Sequence, residues 1–144
     1  MKPIVIDPEL EVELQELYIL SKHWTSDMNF VEDELRILKD ILDKYLTKTE
    51  NLKRAETRNF AKILSQQDLI VHAIKAKILL FLKFIEPMVD ESKKEIGLDL
   101  VEKFIALESE IKSLSAYVQL LRKLLFSLTE DVMREEKNNT IIIN

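Results

Sequence analysis

The sequence predicts an all-α protein: an elongated antiparallel up-down-up bundle of three long helices with heptad-like packing, open to dimerisation. Three observations predict it. Apolar residues recur in three stretches at alternating steps of four and three, glycine and proline are nearly absent (1 Gly and 3 Pro among 144 residues), and only short polar segments separate the stretches. A mean step of 3.5 residues keeps a side-chain row on one face of a slightly underwound helix, where it seats between residues of a neighbouring helix. So little turn chemistry argues against a chain of strands and hairpins.

The first stretch reads Leu10, Leu14, Leu17, Ser21, Trp24, Met28, Val31, Leu35, Leu38, Leu42, Tyr45. Asp7 is placed to cap its helix and Pro8 to occupy the first helical position, which has no intrahelical amide bond to lose. Thr25-Ser26-Asp27 looks like a second cap, but the rhythm crosses it unshifted, so one helix is expected over about 8–47. Thr47 to Glu50 then makes a turn, with Thr49 as the next cap.

The second stretch reads Phe60, Leu64, Gln67, Val71, Ile74, Ile78, Phe81, Ile85, Met88, on a helix expected over about 50–95 and kinked near Pro87. Gly97 is expected to end it in the left-handed conformation. Asp99 and Glu102 then open a third helix, about 99–136, whose row is Leu100, Phe104, Leu107, Ile111, Leu114, Val118, Leu121, Leu125, Leu128, Val132. Residues 1–137 form one domain on this reading, and 138–144, with Ile141-Ile142-Ile143, a separate tail. Counting from the two turns places Trp24 near Ile74 and Leu121, and Val31 and Ser127 near Gln67.

Charge is uneven along the chain. Residues 1–50 hold six Lys/Arg against twelve Asp/Glu, residues 51–85 hold seven against two, and the net charge of the whole is −5. Helices one and two are therefore expected to pair through unlike charges. A basic patch at Lys53, Arg54, Arg58 and Lys62 is the alternative, but an acidic protein with four such charges does not point to nucleic acid.

Composition and spacing exclude several chemistries. Without cysteine there is no disulfide, thiolate nucleophile or Cys-ligated metal. The residues three before His23 and His72 are leucines, so the Glu-x-x-His pairs of diiron bundles are absent. No catalytic residue, cofactor site or metal site can be named, and no enzyme is expected. The most apolar run, Ile78 to Ile85, is too short to span a bilayer and contains Lys83. The N-terminal residues lack the apolar run of a signal peptide. A cytoplasmic protein follows.

Ser21 and Gln67 interrupt the apolar rows, as polar residues that fix helix register do. The apolar residues the rows leave over carry the functional expectation. Ile19, Phe30 and Ile37, with Val12, fall on the outer side of helix one, around His23. Leu69 and Leu80, with Ala73 and Ala76, do so on helix two, and Phe84 lies in a segment apolar nearly all round. A helix apolar on every side is covered on every side, which three helices alone do not achieve. The reading is a protein–protein interaction or assembly module whose partner-binding residues are Ile19, Phe30, Ile37, Leu69, Leu80 and Phe84. Its partner is a second copy of the chain or another helical protein. The alternative is a small-molecule-binding or sensor bundle with a cavity near Gln67, although no small molecule is identified.

One resemblance adds to this. Between Trp24 and Leu42, the pattern Trp-x-x-Asp-x-x-Phe-x-x-Asp-Glu-Leu precedes an aliphatic run. In this it resembles helix one of uncharacterised bacterial proteins that form long helical bundles. The resemblance spans about 20 residues and implies a fold but no activity or site residue.

Overall fold

The computed structural model describes the backbone of residues 8–46, 54–91 and 97–143, and the side chains of 13–44, 55–88, 97–131 and 133–134. Asp7, Thr49, the turn at 47–50 and the end of the second helix near 95 lie outside the described residues. So do the side chains of Leu10, Val12, Tyr45, Lys53, Arg54, Val132 and Ile141 to Ile143. Three helices account for every described residue except Gly97: α1 (Pro8–Leu46), α2 (Arg54–Glu91) and α3 (Leu98–Ile143). There is no strand among the described residues. The all-α bundle is thus the observed fold.

α1 opens on Pro8 and passes through Thr25-Ser26-Asp27 without a break. Side-chain capping groups in mid-helix do not interrupt the backbone ladder when the apolar row through them stays in phase. α2 likewise continues through Pro87 to Glu91. Close to a helix end a proline costs less, because few downstream bonds depend on it.

Two expectations about α3 need correction. Gly97 does not adopt the left-handed conformation; its carbonyl accepts from the amides of Leu100 (3.1 Å) and Val101 (3.3 Å), so it caps the start of α3. Asp99 consequently sits inside the first turn, where its carboxylate favours the positive helix end and meets Lys103 at 3.3 Å. The far end of α3 also differs. The helix runs to Ile143 instead of stopping near 136, so residues 138–143 continue its backbone and are not a separate tail. Neither glycine nor proline occurs after Gly97, and extending an existing helix needs no new nucleus.

Contacts group the chain into two compact units, each drawing on all three helices. Unit 1 comprises residues 1–30 and 71–113; unit 2 comprises 31–70 and 114–144.

The core of unit 1 is aromatic at its centre. Trp24 of α1, Phe81 of α2 and Phe104 of α3 meet with ring centroids 4.9–6.2 Å apart. Tilted ring pairs at such distances add about 0.5–1.5 kcal/mol each beyond the area they bury. Leu14, Met28, Ile74, Ile78, Ile85, Leu107 and Ile111 are also buried in this unit. The level of Trp24 thus differs from the one obtained by counting. Its ring partners are Phe81 and Phe104; Ile74 is buried in the same unit, and Leu121 belongs to unit 2. Phe81 lies one heptad past Ile74, and a shift of seven residues keeps every core side chain on its seam. Apolar periodicity alone therefore leaves that choice open.

Unit 2 is built mainly from aliphatic side chains: Val31, Leu35, Leu38, Leu42, Leu64, Leu114, Val118, Leu121 and Leu125, with Phe60 at its edge. It also buries Thr57, Gln67 and Thr129. Thr57 extends the α2 seam one step upstream. Thr129, four residues after Leu125, is buried more than Leu128, which is half-buried. A 3.6-residue helix drifts by roughly 20° per heptad against a strict 3.5 repeat, so a four-residue step restores the inward direction. Ser127 is exposed and does not join Val31 and Gln67 in the core.

Ser21, fully buried in unit 1, donates to the carbonyl of Leu17 at 2.6 Å. Its hydroxyl is spent on its own helix, so it does not fix register across helices as its place in the row suggested. Thr129 behaves alike, donating to the carbonyl of Phe126 at 2.8 Å.

Candidate interaction surface

Helix-to-helix ion pairs frame the surface. In unit 2, Lys39 of α1 pairs with Asp68 of α2, and Arg122 of α3 approaches Glu34 of α1 at 3.5 Å. In unit 1, Lys77 of α2 pairs with Glu110 of α3 at 2.8 Å. Helices one and two were expected to pair acid on α1 with base on α2. Lys39 and Asp68 are an unlike-charge pair between these helices with the base on α1, and Lys77 of α2 pairs with α3.

Among the sequence-derived candidates, Phe30 (69%), Leu69 (71%) and Leu80 (68%) are the most open to solvent, and Ile19 and Ile37 are more than half exposed. These five are not core residues. Phe84 is different: it is half-buried, and the ammonium of Lys103 lies 4.1 Å above its ring. α3 therefore already covers part of it through a cation–π contact. By unit, Ile19, Phe30, Leu80 and Phe84 fall in unit 1, and Ile37 and Leu69 in unit 2.

α3 contributes exposed apolar residues that the sequence reading missed. Leu98 and Ile105 in unit 1, and Leu120, Leu124 and Phe126 in unit 2, are all exposed. Their signal was present as leftover positions outside the third row, of the same kind that singled out Phe30 and Leu69. Exposed apolar residues are ordinary when scattered singly but informative when they line one face. Tyr117, Leu120 and Leu124 do so, at steps of three and four.

Unit 1 also has an open groove of about 380 Å³ between α2 and α3. Phe81 and Leu107, otherwise buried, show at its floor, with Leu80, Phe84 and Ala106 beside them. Lys77, Lys103 and Glu110 stand at its rim. A smaller groove of about 310 Å³ in unit 2 is lined by Gln119, Arg122, Lys123 and Phe126. Neither of these grooves is lined by Gln67 or Val31.

Chemistry is sparse on these surfaces. His23 and His72 are exposed, and no group of three His, Cys, Asp or Glu residues among the described residues is arranged to hold a metal ion. Among the described residues, no buried side-chain nitrogen or oxygen lacks a hydrogen-bond partner. No helix, among the described residues, is long and apolar enough to cross a membrane. What the arrangement offers is exposed apolar area bordered by charged side chains. In comparison with known proteins, no family model, curated protein or solved structure matches this chain.

Proposed function

We propose that the protein is a non-enzymatic, cytoplasmic protein–protein interaction or assembly module whose outer apolar surface on α1 and α2 docks a helical partner, either a second copy of the chain or another protein. The observation that carries this reading is the exposure of Phe30, Leu69 and Leu80 at about 70% each. Large apolar side chains left in water contribute nothing to the bundle, whereas covering each one yields about 1.5–3 kcal/mol. At protein interfaces a few buried anchors, aromatic ones above all, carry most of the binding energy. Nucleic acid is not a partner on this reading, since the most exposed apolar residue of α1, Phe30, lies on a predominantly acidic helix.

Size-exclusion chromatography with light scattering tests the self-assembly form. A mass above 16.9 kDa that rises with concentration and returns to the monomer value in Phe30→Asp supports it. A strict monomer removes it and leaves a different helical protein as partner. For that form, a pull-down from the native cell compares wild-type bait with Phe30→Asp bait. Equal recovery from the two baits ends the reading.

A further inference from the structure

We draw no further inference here: the strongest candidate, the open apolar groove between α2 and α3 of unit 1 beside Leu80 and Phe84, has a rim of mixed charge whose Lys77 and Lys103 already meet Glu110 and Asp99, and nothing in the structure shows what covers it.

Discussion

Unit 1 and unit 2 are cut from the same three helices yet fill their interiors differently. Unit 1 closes around three interlocking rings, Trp24, Phe81 and Phe104, with Ser21 as its buried polar residue. Unit 2 stacks leucine and valine and admits Thr57, Gln67 and Thr129. Rings are large, rigid and specific in mutual angle, so they define which levels of the helices face one another. Aliphatic rows accept several levels almost equally, and polar residues within them discriminate only if their hydrogen bonds cross between helices. Ser21 and Thr129 bond within their own helices. The contrast is between a core with rings from all three helices at its centre and one filled mainly by aliphatic rows.

The largest test of that contrast is Trp24→Ala. Removing a ring that is 5% exposed and touches two others should cost about 3–5 kcal/mol, read from urea denaturation. If the loss matches that of an average leucine truncation, the rings have no special place. Leu38→Ala in unit 2, at 1% exposure, should follow at about 2–4 kcal/mol, since neighbouring aliphatic chains relax partly into the space. Ser21→Ala should change stability by no more than about 1 kcal/mol, because the hydroxyl and the Leu17 carbonyl exchange only a local bond and that carbonyl keeps its helical partner. A loss of several kcal/mol would mean that the hydroxyl does hold register. The smallest effect belongs to Lys77→Ala, about 0–1 kcal/mol in thermal melts and vanishing at high salt, because its pair with Glu110 is solvent-exposed.

Much of the fold was legible in the chain itself. The described row residues from Leu14 to Leu42, Phe60 to Ile85 and Leu100 to Leu125 are buried, except for half-buried Leu17. Helix ends were less legible. Gly97 reads equally well as a stop for one helix or a start for the next, because its lack of a Cβ permits both. The end of α3 was placed near 136, although nothing in Asn138-Asn139-Thr140 forbids helical backbone and the helix runs on to Ile143. Of the candidate surface, the exposure of Phe30, Leu69 and Leu80 could be read from their positions off the rows. The half-cover of Phe84 by Lys103 could not, since it joins residues 19 apart in sequence across two helices.

By itself, then, the sequence determined three helices and the seam along each, because side-chain periodicity is a property of one helix and needs no neighbour to be counted. Only the tertiary structure decided which levels meet, which lysine faces which carboxylate, and that α2 and α3 leave a groove beside Leu80. Those are relations between helices, and seven-residue shifts leave every seam intact while changing every cross-helix partner.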